Sequence, residues 1–387
     1  MSDRSHLAWP FFADAHRDFA AAFGAWAAQH LALFEAEEAG DGRAAREIFG
    51  LLGSAGWLSP TIATGDAGSR AGVDLRRVCL MRELLGYGSA IADVAFSEPW
   101  LAALPIALYG SFAQKRRYVD AYCAGRCLPA FALSEPEAGS DVAAIGMTAT
   151  ASDDGYVLDG RKTWISNSGL ADAYVVFART EADSGARGIS AFVVDGDNPG
   201  VALEQRLHVL PPHTVGTLRF AGCRVGRSSL LGQAGHGFEI AVRTLELFRP
   251  TVAAATLGFA RRAFDAALQR STGRVAFKKP IAEHQLIQEK LADMAVKIDA
   301  GALLAYRAAW MHDTGHASIG REASIAKLYC SEAAQEVVDQ ALQIFGGMGV
   351  VQGTTVERLY RHVRAFRIFD GTSEIQKLVI ARHLLKG

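Results

Sequence analysis

The stretch Phe366-Arg-Ile-Phe-Asp370-Gly-Thr-Ser-Glu374-Ile-Gln376 sets one acid between a mostly apolar run and the start of a helix. Ser373-x-x-Gln376 has capping-box spacing, and Ile375, Leu378, Val379 and Leu385 continue at roughly helical spacing, which predicts a helix from about Thr372. Free N–H groups at such a start favour an anion. The flanks Phe366, Ile368 and Phe369 predict a desolvated carboxyl with a raised pKa, which suits a general base. The same pattern also describes a surface-loop acid that caps a helix, so Asp370 carries two readings.

Outward from this stretch the chain reads as helical back to Gly237. Ile287, Leu291, Met294 and Ile298 follow a +4, +3, +4 rhythm that predicts the buried seam of a long helix. Further helices are predicted at about 238–272, 319–345 and 373–385, together a four-helix bundle over 237–387. Residues 129–236 change to short runs rich in Val, Ile, Phe and Tyr, such as Tyr174–Ala178 and Ile189–Val194. Turn signals at Asp153-Asp-Gly155, Asp159-Gly160 and Asp197-Asn-Pro-Gly200 divide them, and a compact β-domain, barrel or sandwich, is expected. Residues 1–128 read as an α-helical domain, with Ala-rich segments around 13–38, 44–53 and 74–87. Gln114-Lys-Arg-Arg-Tyr118 reads there as a solvated basic turn. Asp93 and Glu98, before Pro99, read as helix-end acids or as substrate contacts. The expected fold class is α+β with three domains.

Composition removes several functions. With 40 Lys plus Arg against 41 Asp plus Glu, the net charge of −1 gives no basic field for nucleic acid and no polybasic membrane patch. No apolar segment follows a basic start at the N-terminus, and no uninterrupted apolar run reaches transmembrane length, so a cytoplasmic protein without a membrane partner is expected. Cys79, Cys123, Cys127, Cys223 and Cys330 are odd in number and dispersed, which fits reduced thiols. Cys123 and Cys127 could share a helix face, but lack a second ligand pair for zinc. No Gly-x-Gly-x-x-Gly opens a helix after a strand, so a redox cofactor would not be held by a Rossmann domain.

Phe369-Asp370-Gly371-Thr372-Ser373-Glu374-Ile375-Gln376 resembles the C-terminal signature of the acyl-CoA dehydrogenases, flavoenzymes that remove hydrogens from Cα and Cβ of acyl thioesters. Ser134-Glu-Pro-Glu-Ala-Gly-Ser140-Asp141 resembles their mid-chain flavin loop. Gly160-Arg-Lys-Thr-Trp164-Ile-Ser166-Asn is similar to their flavin-covering strand, and Gln343-Ile-Phe-Gly346-Gly347-Met-Gly349 to their flavin-contacting glycine segment. Any one of these is a weak signal; four in family order are a strong one.

The resemblance implies FAD as cofactor, an acyl-CoA thioester as substrate, electron-transfer flavoprotein as acceptor, and a homo-oligomer, a tetramer by family habit. It gives Asp370 the role of base. Phe131, Leu133, Ser134, Gly139 and Ser140 would lie along the flavin edge, with Ser140 also at the substrate, and Trp164 and Ser166 would cover the ring. Taken without the family, Trp164 reads as a core residue and Ser166 as an ordinary strand hydroxyl. Arg274, Phe277, Gln285, Gln343, Gly346 and Gly347 would complete the FAD of a neighbouring subunit, the Arg by a bidentate fork to phosphate. Thr372 and Glu374 match cofactor contacts, and Glu246, Arg249 and Gly371 substrate contacts. No metal is implied.

Three departures from the family pattern bear on the substrate. Most members carry Glu where this chain has Asp370, which shortens the acid by about 1.3–1.5 Å. Members of the family that oxidise alicyclic thioesters carry Asp bases, so the resemblance leads to the expectation of a branched, cyclic or otherwise bulky acyl group, a cyclohexanecarboxyl-like one among them. Some members place the acid just before the Arg of the acyl-pocket helix, but Phe248 stands there. The second departure is Leu207-His-Val-Leu-Pro211-Pro212-His213-Thr-Val-Gly216, which replaces a glycine- and serine-rich loop, and the third is Lys278, which stands where glycine is common. Two alternatives keep the fold: a dehydrogenase of acyl groups on a carrier protein, and a flavoenzyme of other chemistry such as a desulfinase or monooxygenase.

Overall fold

In the computed structural model, which describes residues 3–35, 42–62 and 72–385, helices come first along the chain. They are α1 (Asp14–Glu35), α2 (Arg43–Ser54), α3 (Leu75–Gly88), α4 (Ala90–Tyr109), α5 (Phe112–Gln114) and α6 (Asp120–Cys123). Strands follow: β1 (Pro129–Ala132), β2 (Thr148–Ser152), β3 (Gly155–Ser166), β4 (Ala173–Arg179), β5 (Ile189–Asp195), β6 (Val201–Leu207), β7 (Val215–Gly226) and β8 (Leu230–Leu231). Then come α7 (Gly237–Gly273), a hairpin of β9 (Val275–Ala276) and β10 (Lys279–Pro280), α8 (Gln285–Asp313), α9 (Gly320–Phe345), α10 (Thr355–Val363) and α11 (Ser373–Leu385). The end of the first Ala-rich segment, 36–38, lies outside the described residues.

The chain divides into two compact units, one of residues 1–36, 75–93 and 246–387, the other of 37–74 and 94–245. In the first, α8 packs on α9 and α9 on α11, while α1 and α8 pack against α3. Glycines permit the closest approaches: a Cβ at Gly86 would stand 2.7 Å from the Ala255 carbonyl oxygen, and one at Gly258 2.2 Å from that of Glu83. The predicted seam of α8 holds, with Met294 and Ile298 buried and Ile287 and Leu291 half-buried. The helices expected at 238–272, 319–345 and 373–385 are α7, α9 and α11. The short helix α10 had no counterpart in the sequence reading.

In the second unit one hydrogen-bonded sheet runs β6-β7-β3-β2-β4-β5-β8, with β1 added in parallel to β4. Its core gathers Ala132, Leu158, Ile165, Val176, Phe192, Leu218 and Phe220, all buried. Asp153–Asp154 and Asp197–Gly200 lie at strand connections as expected. Asp159-Gly160 does not: it lies inside β3, opposite a bulge of Ala221-Gly222 in β7, and Gly160 (φ 149°) passes Met147 so closely that a Cβ would stand 2.8 Å from Met147 Cγ. Gln114 corrects the expected solvated basic turn, for it is buried and donates from Nε2 to the carbonyls of Ser228 (2.9 Å) and Leu230 (3.1 Å). Tyr118 is also buried and donates to Asp195 (2.8 Å). Helix α6 ends at Cys123, so Cys123 and Cys127 share no helix face, and none of the five cysteines is in a disulfide.

Helix α4 carries Pro99 and Pro105 in its interior. Each costs about 3 kcal/mol or more in lost hydrogen bonding and steric clash. Full burial of Phe96, Trp100, Leu104 and Ile106 offsets this at about 1.5–3 kcal/mol per side chain, so the helix continues through both prolines. Asp93 therefore sits in its first turn, a helix-end acid as expected, and Glu98 in its middle, not at the turn expected before Pro99. The helix is long and apolar enough by composition to cross a membrane, but 83% of its apolar window is buried inside the protein.

Candidate active site

Asp370 and Gly371 form a turn between the 3-10 segment Arg364–Arg367 and α11, and both have positive φ, 58° and 92°. Aspartate tolerates that region better than most side chains. At Gly371 the backbone strains any side chain, and a Cβ would stand 2.6 Å from Gln376 Nε2, which would have to move off its carbonyl partners. Gln376 Nε2 donates to the carbonyls of Asp370 (3.3 Å) and Gly371 (2.8 Å), Lys327 Nζ to Gly371 (2.8 Å), and Arg249 Nε to Asp370 (3.4 Å). Side chains from α7, α9 and α11 thus fix the backbone that carries the acid.

Two sequence expectations fail here. Ser373 is not the capping hydroxyl, since it bonds to the Glu332 carboxylate, and Thr372 Oγ1 accepts from Ile375 N instead (3.3 Å). Nor does an apolar jacket surround Asp370. Phe366 packs on Phe259 and Phe369, but Ile368 is exposed, and the charges acting with Asp370 are the cations Arg249 and Lys327. Burial pushes the Arg249 guanidinium below its usual range and the Lys327 ammonium to about 8, against the pull of Asp370 in each case.

Phe248, beside Arg249, is buried under the Arg82 guanidinium, 5.0 Å from its ring centroid. Arg82 is itself in a buried bidentate pair with Asp93 (2.8 and 2.7 Å), which gives Asp93 a structural partner. Glu246 Oε1 accepts from Ser318 Oγ (3.0 Å) and Ile319 N (2.7 Å), holding the start of α9. Thr372 is half-buried and Glu374 exposed in the first turn of α11.

At the far ends of these helices Arg274, Phe277, Gln285, Gln343, Gly346 and Gly347 are all exposed. The Arg270 guanidinium lies 5.8 Å from the Phe345 ring centroid, which brings the end of α7 to the end of α9. The β9–β10 hairpin turns on Phe277 (φ 51°) and Lys278 (φ 69°), a two-residue turn with positive φ at both places, where glycine or asparagine is usual. That explains why glycine would suit position 278. Phe277 stands 89% exposed on this strained turn. Gly346 (φ 63°) closes α9.

In the other unit the flavin-loop residues are pinned by a buried ion pair. Lys162, wholly buried, donates to Glu135 Oε1 (2.7 Å) and to the Leu133 carbonyl (2.9 Å). Glu135 also accepts from the backbone N–H groups of Gly146 (2.6 Å) and Met147 (3.0 Å). The Ser134 carbonyl accepts from Thr163 N (2.9 Å), and half-buried Phe131 packs on Phe177 at 5.0 Å. Burial pushes the Lys162 ammonium to about 8 despite its partner. Gly139 and Ser140 are exposed on the loop.

Trp164 sits in a bulge of β3 with φ 60°, a conformation that costs an L-residue about 1–2 kcal/mol. Its indole is 61% exposed, so it is not a core residue. Ser166 Oγ donates to Glu98 (2.7 Å), and Asn167 N to the Thr214 carbonyl (2.9 Å) in the loop that contains Pro211 and Pro212.

Each unit by itself carries residue types that suit part of a large planar anionic cofactor. An exposed indole on strained backbone offers a wall, and a Cβ at Gly139 or Gly347 would meet nothing within 4 Å among the described residues. Packing inside the chain therefore does not require glycine at either place, whereas close approach of a ligand would. Arg274, Gln285 and Gln343 add exposed donors. Sequence reasoning missed Lys162, Lys327 and the carbonyl-binding role of Gln376. Signals existed: Lys162 has the inward parity of Leu158 on β3, and Lys327 lies on the buried stripe Ala323, Cys330, Ala334 of α9.

Residues 13–126, 130–223 and 235–385 match the N-terminal, middle and C-terminal domains of acyl-CoA dehydrogenases. The chain is 42% identical over 321 residues to the human mitochondrial short-chain specific acyl-CoA dehydrogenase, covering 82% of this chain and 77% of that protein. It is 37% identical over 357 residues to the caffeyl-CoA reductase-Etf complex subunit CarC of Acetobacterium woodii, covering 92% and 93%. The structure of butyryl-CoA dehydrogenase from Megasphaera elsdenii superposes with a TM-score of 0.88 at 34% identity, over 97% of this chain and 99% of that one. With three domains matched in order and a relative 42% identical over 82% of the chain, the chain belongs to the acyl-CoA dehydrogenase family and is an FAD-dependent oxidoreductase.

Proposed function

We propose that this chain forms the α,β double bond of an acyl-CoA thioester, with Asp370 as base and electron-transfer flavoprotein as acceptor. The observation that carries the reading is the Asp370 turn, gripped through its carbonyls by Arg249, Lys327 and Gln376, while the alternative acid position holds Phe248. The Asp370 carboxylate takes the Cα proton, and the electron pair left at Cα becomes the new double bond. The chemistry that bound FAD would supply is an acceptor for the hydride that leaves Cβ. Trp164 walls the cofactor, Ser134, Gly139 and Ser140 border it, and Arg274, Gln285 and Gln343 bind the phosphate and adenine end from an adjacent subunit of a homotetramer. Exposed Val275, Phe277 and Leu286 support such an assembly.

The acyl group is branched, alicyclic or otherwise bulky. The shorter reach of Asp370 supports this, as do the Pro211-Pro212 loop and a relative named for caffeyl-CoA, whose name also carries Etf. Anaerobic bleaching of the purified yellow protein with a thioester panel tests both levels. Isobutyryl-, cyclohexanecarboxyl- and arylpropionyl-CoA should bleach the flavin faster than butyryl-, hexanoyl- or octanoyl-CoA. Faster bleaching by the straight chains would remove the bulky-substrate reading, and no bleaching by any thioester would remove the proposal.

A further inference from the structure

Three donors hold the Asp370–Gly371 carbonyls, and one of them is out of place by composition. Lys327 is wholly buried on α9, and its ammonium donates to a neutral carbonyl, that of Gly371, at 2.8 Å. A buried ammonium loses several kcal/mol of hydration, and a carbonyl returns only part of that. A glutamine, as at 376, would serve the carbonyl at lower cost. The charge is explained by what surrounds it: Asp370 on the turn, Glu332 on the same helix and Glu374 on α11 attract it, and Arg249 on α7 opposes it.

Resting on the reading of Asp370 as the base, we infer that Lys327 is a positioning residue for that base: it locks the left-handed turn through Gly371 and supplies charge that keeps the carboxylate ionised and ready to accept a proton. The two parts of the role are separable. Gln376 grips the same carbonyls without charge, so it contributes geometry only. The ammonium, pushed down to about 8, retains its proton at neutral pH and surrenders it in mild alkali.

The test is the pH dependence of anaerobic flavin bleaching by the best thioester, measured on FAD-loaded protein. Asp370→Asn is the control for the parent reading. Lys327→Met should lower the plateau by roughly tenfold to a hundredfold, the scale of a positional error near 1 Å, and move the acid limb to higher pH, because a lost cation makes the carboxylate easier to protonate. Gln376→Leu should lower the plateau and leave the limb in place. If Lys327→Met yields no folded protein, Lys327→Arg and Lys327→Gln decide: the arginine should keep the acid limb in place and the glutamine should move it to higher pH, and an unmoved limb in Lys327→Gln overturns the inference. An unmoved acid limb in Lys327→Met, with Asp370→Asn inactive, overturns it while sparing the parent reading. Full bleaching by Asp370→Asn overturns both.

Discussion

Lys162 Nζ lies 2.7 Å from Glu135 Oε1, with the lysine wholly buried and the glutamate nearly so. This pair, with the Leu133 carbonyl and the amides of Gly146 and Met147, ties the flavin-loop segment to β3. Its value is geometric rather than energetic, because a buried pair gains little over apolar residues of the same shape. Stability should record this. The ammonium titrates near 8 in the folded chain against 10.5 in the unfolded one, so between those values the unfolded chain binds more protons and stability rises with pH. Below about 8 both forms are charged and the contribution is flat. Urea midpoints of wild type and Lys162→Met/Glu135→Gln, compared from pH 7 to 10, should diverge in the wild type's favour only above pH 8. A constant difference would show that the lysine is not depressed.

Trp164→Gly should separate strain from cofactor binding. Glycine relieves about 1–2 kcal/mol of left-handed strain and returns about 0.5–1 kcal/mol of that as chain entropy, while the exposed indole gives up little burial. The apoprotein should melt at or above the wild-type temperature. FAD affinity should fall by roughly two- to tenfold, as an aromatic contact of about 0.5–1.5 kcal/mol is lost. Unchanged FAD titration would deny Trp164 its wall.

Asp370→Asn should keep FAD and slow bleaching by about 10²–10⁴-fold, the range of a positioned general base. Asparagine also tolerates positive φ, so the turn survives and the loss reports chemistry. Asp370→Glu is a different experiment. Glutamate fits the left-handed turn less well, so the variant should lose activity on the native thioester even though it keeps a carboxylate with longer reach. Wild-type rates with Glu would mean the turn yields freely.

Arg274→Ala should lower FAD occupancy by roughly ten- to a hundredfold in affinity, the worth of a charge-assisted hydrogen bond to phosphate, and weaken assembly with it. Absorbance ratio and sedimentation velocity on the same sample check both. A fully yellow variant of wild-type size would take Arg274 out of the cofactor site.

How much of this could be read beforehand depended on whether a pattern was local. The seam Ile287, Leu291, Met294, Ile298 and the strands at 174 and 189 were legible because periodicity is a local property. Pro99 misled, because tertiary burial of Phe96 and Trp100 outweighs a local helix breaker. Asp159-Gly160 misled for a related reason: a turn dipeptide also serves a strand interior where Met147 crowds the backbone and the partner strand bulges at Ala221-Gly222. At the candidate site, the helix start that follows Asp370 was legible and the acid's surroundings were not. Phe366, Ile368 and Phe369 are neighbours in sequence, but Arg249 and Lys327 arrive from residues 121 and 43 positions away and set the electrostatics.

The Phe277–Lys278 turn carries one more consequence. Both residues occupy backbone that suits glycine, and the phenyl ring faces solvent, so the segment is locally frustrated: its sequence opposes its own conformation. Such a hairpin holds its shape only as long as something outside it supplies the difference. In hydrogen-exchange terms, the amides of 274–281 should exchange quickly in dilute protein and slow as concentration or FAD rises, so that this turn reports subunit association while the helices on either side stay protected throughout.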